Sequence, residues 1–489
     1  MPIEYDLVVI GASEVGIEAA KIAARYGARV ALVQQGELET WPLAQRIFLE
    51  RIFAATDQPL DADDWPKLQT ARSQQSQRIA QLVQTAIADY QRIHSPAALG
   101  MLGIEVIPGH GEFCCRPKPG FRIEDRRLLR SRAFLLALPQ QISVTIPNLA
   151  EAGYWTIESL LTQLTCSTTA EGLKQSLTII GEDEQTVALA WGLQRLGSQV
   201  TLITGYSRIL PQADPEAAFR FQAILEAQGI CIMTDTDITQ ASRRHDRLWL
   251  QLNPSQQNPP AMATDAVVIT SRRAPLQSLD LQALGVHLPL KLDGQLPHTT
   301  FQTARCAVYA CPSNTAHPYG IAHDWVQRIL LAPWQRSPIH PLALYEVNTP
   351  IPISGVGLTE PLARNQYGRD CAIVEAVFPA PDLDHPSGQL SGHSSPLYCK
   401  VITRRNGELL GAHGVGAGAI SVVELLHQAL QLRVNIKTLR NLYSLPTSQG
   451  AIVQQLAEQW HHQQRSHWQQ EFWLDWFAIR RVWAMRRGQ

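Results

Sequence analysis

The stretch VVIGASEVG, residues 8–16, follows the apolar start Leu7 and leads into GIEAAKIAARYGA. An apolar run, a glycine turn and a helical pattern predict a β-strand entering an α-helix, the opening of a βαβ unit. A turn of this kind that holds a dinucleotide asks for glycine at three places: the strand exit, the pyrophosphate approach and the helix–strand contact. Gly11 and Gly16 supply the first and third. Ser13 stands at the second, placing a side chain where a phosphate would approach, and Glu14 adds negative charge at a helix start that favours anions. The second strand, ARVALV, leads to Gln34, an uncharged amide where an acidic residue would take ribose hydroxyls. The βαβ unit is expected; its ligand is left open.

The 489 residues suffice for about three domains of roughly 150 residues each. Lys plus Arg (42) and Asp plus Glu (43) nearly cancel, so no global field recruits nucleic acid, and none is expected as a partner. Eight cysteines, at 114, 115, 166, 231, 306, 311, 371 and 399, form no disulfide framework, and the first 30 residues lack a signal-peptide pattern. A reducing, cytoplasmic setting is the expectation. No apolar run approaches the ~20 residues of a membrane span.

The architecture repeats. SLTIIGEDEQTVALAWGLQRLGSQVTLIT, residues 176–204, is a second strand–turn–helix–strand. Between the copies, Ile79, Leu82, Val83, Ala86, Ile87 and Tyr90 mark one face of a helix over 73–93. Strands are expected at GIEVIP, RAFLLAL, DAVVIT and AVYA. From about residue 340 the pattern becomes antiparallel, with an Asn406-Gly407 hairpin turn between KVITRR and ELLGAHGV and a helix after it.

The order of YDLVVIG, VTLIT, NTPIPISGVGLTE, ELLGAHGVG and NLYSLPTSQG resembles the pyridine nucleotide-disulfide oxidoreductases, the family of dihydrolipoamide dehydrogenase, glutathione and mercuric reductases. The resemblance spans about residues 4–457. It implies an α/β fold with two Rossmann-like domains, a C-terminal α+β dimerisation domain and a homodimer. The FAD-binding-type domain would comprise 1–145 and 265–335, the inserted NAD(P)-binding-type domain 146–264 and the dimerisation domain 340–457, leaving 458–489 as a helical tail.

The family passes electrons from NAD(P)H through FAD to a Cys-x4-Cys pair. Here those positions fall on Pro42 and Ile47, and no cysteine precedes Cys114. Without a thiolate nothing attacks a disulfide. Cys306 and Cys311 have the same spacing but bracket an expected strand, so they would face opposite ways ~17 Å apart, beyond the ~7 Å limit of a bridge. Vicinal Cys114 and Cys115 are read as strand thiols. The family's C-terminal His-Glu pair is replaced by Leu445 and Gly450, although Pro446 and Thr447 persist. Disulfide reduction by the family route is therefore not expected, and no catalytic residue is assigned.

The nicotinamide turn reads GEDEQT, with Gly181 kept and Asp183 and Thr186 at the other glycine positions. At an effective dielectric of ~20, a carboxylate about 5 Å from a phosphate costs roughly 3 kcal/mol. Glu182, Asp183 and Glu184 thus argue against NAD(P). For FAD the record is mixed. The family's Ala-Thr-Gly is Ala137-Leu138-Pro139 and its Gly-Asp is Pro312-Ser313, yet HPYGIAHDWVQRIL resembles the FAD-adjacent helix. If FAD is kept, Gly11, Ser13, Gly16, Gln34 and Ser313 are the residues expected to hold it.

His413 is read as a structural strand histidine, and His461, His462 and His467 as helix surface; no metal site is expected. The tail carries five of the twelve tryptophans. Phe472, Trp476, Ile479 and Trp483 share one helical face, widened by Trp473 and Phe477, and Arg480, Arg481, Arg486 and Arg487 follow. This face suits packing on its own dimer, a protein partner or a membrane surface that would make the protein peripheral. Two functions stay open: a non-catalytic, homodimeric binding or regulatory scaffold, or an FAD-dependent oxidoreductase passing electrons to a quinone or protein.

Overall fold

The computed structural model describes residues 3–36, 38–56, 65–114, 120–124, 127–142, 144, 146–166, 176–253, 260–273, 275–284, 300–302, 307–311, 318–331, 344–379, 395–441, 449–464, 476–477 and 480. They form two compact units, Met1–Leu210 with Gln222–Pro341, and Pro211–Phe221 with Leu342–Gln489.

In the first unit, β1 (Tyr5–Ile10), α1 (Glu14–Arg25) and β2 (Val30–Gln34) are the expected βαβ opening. Helices α2 (Trp41–Thr56) and α3 (Trp65–Ile93) follow, the latter beginning before the expected residue 73. Strands β3 (Ile104–Pro108) and β4 (Ser131–Leu136) then join the sheet. Helix α4 (Ile157–Cys166) precedes the second nucleotide-binding-type sheet, made of β5 (Ser176–Ile180), β6 (Gln199–Ile203), β7 (Cys231–Met233) and β8 (Ala266–Ile269), with α5 (Glu184–Arg195) linking β5 to β6. The chain returns to the first sheet through β9 (Thr300–Gln302) and β10 (Ala307–Ala310) and ends the unit with α6 (Pro318–Leu331). The strand order is β9-β10-β4-β1-β2-β3 in the first sheet and β7-β6-β5-β8 in the second. Every pairing in both is parallel except β9 with β10.

A parallel sheet is covered on both faces, which is why Leu7–Ile10 of β1 read as an unbroken apolar run. Leu7 and Val9 pack with Val15, Ile17 and Trp325, whereas Val8 and Ile10 pack with Phe113, Phe121 and Phe134. Helix α6, the segment likened to the FAD-adjacent helix, lies against α1.

The second unit is a five-stranded antiparallel sheet of β11 (Leu344–Val347), β12 (Ile353–Gly357), β13 (Cys371–Phe378), β14 (Leu397–Arg404) and β15 (Leu409–Val415), in the order β11-β12-β15-β14-β13. The hairpin falls at Asn406-Gly407, where Gly407 takes φ +96°. Helices α7 (Ala419–Gln431) and α8 (Gln449–Gln464) cover one face through Val374, Leu397, Val401, Val423 and Leu456. Trp460 on α8 is buried, and its indole N–H donates to Thr403 Oγ1 at 2.8 Å. Buried Lys400 on β14 meets Asp214 at 3.0 Å, Glu360 at 2.5 Å and Glu375 at 3.5 Å. Among the described residues no helix is long and apolar enough to cross a membrane.

Candidate functional site

The two loops that flank β1 at its C-terminal end carry residues 35–36 and 38–40, after β2, and 137–140, after β4. Between them sits the Gly11–Gly16 turn, the crevice where an open parallel sheet offers a dinucleotide its diphosphate site. Gly11 takes φ +103°, and a Cβ added there would lie 2.3 Å from the Ala137 carbonyl oxygen. At Gly16 it would lie 2.6 Å from the Gly11 oxygen and 2.9 Å from Ala137 Cβ. Both glycines are thus required by the chain's own packing.

Ser13 is fully buried. Its hydroxyl caps α1, accepting from the Gly16 amide at 3.3 Å, and its own amide donates to the Ala137 oxygen at 3.3 Å. Burial raises the Glu14 carboxyl, an effect that Arg46 opposes. Gln34 turns its amide to the Gly36 oxygen at 3.1 Å.

The group that sequence reading missed is Glu39. It is 7% exposed, and Oε1 accepts from the Gln140 amide and from Trp41 Nε1, both at 2.9 Å. Oε2 is buried with no hydrogen-bond partner. Burial pushes the carboxyl up to about 7, and Gln140, Trp41 and Arg272 oppose the shift. Arg272, in the short strand Arg272–Arg273 that pairs antiparallel with Gln141–Ile142, lies over the Trp41 ring at 4.2 Å and pairs with Glu158 on α4 at 2.7 Å. Burial also raises the Tyr90 hydroxyl on α3, and the Glu14, Glu18 and Glu39 carboxylates add to that shift.

The second turn is closed by its own side chains. Asp183 caps α5, with Oδ1 accepting from the Thr186 amide at 2.8 Å and from the Thr186 hydroxyl. That hydroxyl also meets Thr270 Oγ1 at 2.6 Å, and Thr270 donates to the Ile180 oxygen at 3.0 Å. Burial raises the Asp183 carboxyl.

Pro42 and Ile47 both lie in α2. Ideal helix geometry puts residues five apart about 8.7 Å from Cα to Cα, too far for a bridge. The helix lies instead against α5: Gln45 Nε2 donates to the Gln185 oxygen at 2.6 Å, and a Cβ added at Gly192 would lie 2.9 Å from Leu49 Cδ2.

The sequence model of the pyridine nucleotide-disulphide oxidoreductases matches residues 5–315, and that of their dimerisation domain matches residues 346–456. The chain belongs to this family. It is 23% identical over 465 residues to a mercuric reductase of Staphylococcus aureus, covering 90% of this chain and 80% of that one. A dihydrolipoyl dehydrogenase of Bacillus subtilis (strain 168) is 25% identical over 448 residues, covering 86% and 91%. In fold it is similar to the HOCl-induced flavoprotein disulfide reductase RclA from Escherichia coli, with a TM-score of 0.69, 20% identity, and coverage of 93% and 99%.

FAD, the cofactor the family implies, needs amides at the α1 start to meet its diphosphate and room over the end of β1. The Gly16 and Ser13 amides are already bonded within the protein, and Glu39 bridges the two loops that border the crevice. Ala12, Ala137 and Leu138 are buried by protein atoms. The Glu14 and Glu39 carboxyls add negative charge beside the turn, opposed in part by Arg46 and Arg272. The residues present do not fit FAD in the family's manner.

His413 lies on β15, fully buried, with Nδ1 3.1 Å from the Tyr345 hydroxyl and Nε2 3.0 Å from the Leu358 oxygen. Burial lowers its pKa, which favours a neutral ring that donates to the carbonyl. Among the described residues no group of three or more His, Cys, Asp or Glu is placed to hold a metal. His461 and His462 lie on α8. Cys114 is partly buried and Cys311 fully so, with its thiol pushed upward by burial. Ser313, Cys115, Cys306, Leu445, Pro446, Thr447, His467 and most of the tail lie outside the described residues. Trp476, Phe477 and Arg480 are exposed.

Proposed function

We propose that the chain forms a homodimer through its dimerisation domain and serves as a binding or regulatory scaffold, without reducing disulfides. The observation that carries this reading is α2, which offers Pro42 and Ile47 in place of a dithiol and packs against α3 and α5. An electron relay to a disulfide needs a thiolate nucleophile, and helix α2 has none to offer. The sealed Asp183–Thr186–Thr270 network supports the same reading at the nicotinamide end, where added carboxylates oppose NAD(P). Scattered free cysteines among the described residues suit a reducing cytoplasm. The exposed Trp476 and Phe477 suit a contact surface for a partner or a membrane face.

The test is light scattering on the purified protein together with NADH and NADPH oxidation after incubation with FAD. A dimer that oxidises neither nucleotide in the presence of disulfides is expected. Sustained disulfide-dependent oxidation overturns the reading, whereas oxidation with quinones alone would replace it by a flavin-dependent oxidoreductase with a non-disulfide acceptor.

A further inference from the structure

We propose that Glu39 is the specificity-determining residue that closes the first dinucleotide crevice, a strap from the loop after β2 to the loop after β4 that takes the path of the cofactor's diphosphate and sugar chain.

The topology carries this inference. Strand β1 lies between β2 and β4, all three parallel, so the loops leaving β2 and β4 stand on either side of the Gly11–Gly16 turn at the same edge of the sheet. A dinucleotide bound at the α1 N-terminus runs out between those loops. Here the Glu39 Oε1 to Gln140 amide bond joins one loop to the other. Trp41 holds the same oxygen, and the Arg272 guanidinium, clamped by Glu158, lies over the Trp41 ring. The strap is therefore also held through Arg272, three residues after β8.

A buried carboxylate is a costly way to join two loops unless its position is constrained. One oxygen is satisfied twice and the other not at all. The bare oxygen accepts but cannot donate when ionised, so it gives an entering phosphate no hydrogen bond to replace those that are parted. A dinucleotide entering the crevice must part both Oε1 bonds and displace the carboxyl.

The proposal rests on the absent dithiol in no way, so it stands or falls separately from the functional reading above. Its test uses the full-length protein and FAD as the probe, with quenching of flavin fluorescence as the readout and thermal melting as the check on folding. Glu39→Gly removes the strap; Glu39→Gln keeps its length and the Oε1 acceptor while removing the charge. The expected result is weak binding by the wild-type protein, little change in E39Q, and a gain of about a hundredfold in E39G, the equilibrium equivalent of no longer parting two hydrogen bonds to a carboxylate. Tight FAD binding by the wild-type protein overturns the proposal and leaves the disulfide reading intact. So does a folded E39G protein with wild-type affinity. Equal gains in E39Q and E39G would assign the barrier to charge alone and overturn the strap.

Discussion

Replacing Glu39 by glutamine should change the pH dependence of stability in one direction over one window. In the folded protein burial lifts this carboxyl from an ordinary 4.5 to about 7. Between these values the native state holds a proton that the unfolded chain has lost, so stability falls as pH rises through the window. A shift of about 2.5 units corresponds to about 3 kcal/mol, fully present below pH ~4.5 and lost above pH ~7. Glutamine imitates the protonated acid, accepting from Gln140 and Trp41 without a charge to bury. The variant should match the wild-type protein near pH 4.5 and exceed it by up to about 3 kcal/mol above pH 7. Other groups titrate nearby, with burial raising Glu14 and Asp183 and ion pairing lowering Asp214 and Glu360, so the useful quantity is the difference between the two proteins. Urea denaturation at pH steps, followed by tryptophan fluorescence, supplies it. A difference that is flat across the window, or that grows toward acid, would refute the burial argument.

Gly16→Ala should destabilise the protein by about 1–3 kcal/mol with no ligand added, because the new Cβ meets backbone rather than an open cradle; thermal melting checks it. Lys400→Met should cost about 3–5 kcal/mol, since it strands the buried Asp214 carboxylate, and the further change Asp214→Asn should recover part of that loss in urea denaturation. Asp214 and Glu360 are held below the ordinary carboxylate range, despite burial, by Lys400 and their other partners. Their stabilisation is present above that range and lost on acidification, a slope that Lys400→Met should flatten. Asp183→Ala should cost about 1 kcal/mol through loss of the α5 cap, measured by melting, and should not produce NAD(P)H oxidation.

The fold was legible because its signals are local. The run before Gly11, the amphipathic helix after Gly16 and the Asn406-Gly407 hairpin each specify their element within about a dozen residues. Substitutions at Asp183 and Thr186 were legible as losses, but their joint hydrogen bonding to Thr270 was not, for the partner is 84 residues away. Glu39 left no signal at all. A lone acid in a short polar loop reads as solvated, and only its bond to Gln140, 101 residues on, makes it a buried strap. Lys400 is similar: in KVITRR it looks like half of an alternating strand, and Asp214, 186 residues earlier, makes it a buried cation. Ser13 was judged by the position it replaces, whereas its local chemistry as a helix cap decides where its hydroxyl points.

Helix α2 carries no cysteine through which NADPH could reduce a disulfide. Counting new thiols with a colorimetric reagent, after FAD-incubated protein is given NADPH and a small disulfide, tests it most directly. No thiols beyond the protein-free blank are expected; steady NADPH-dependent thiol release would overturn the scaffold reading.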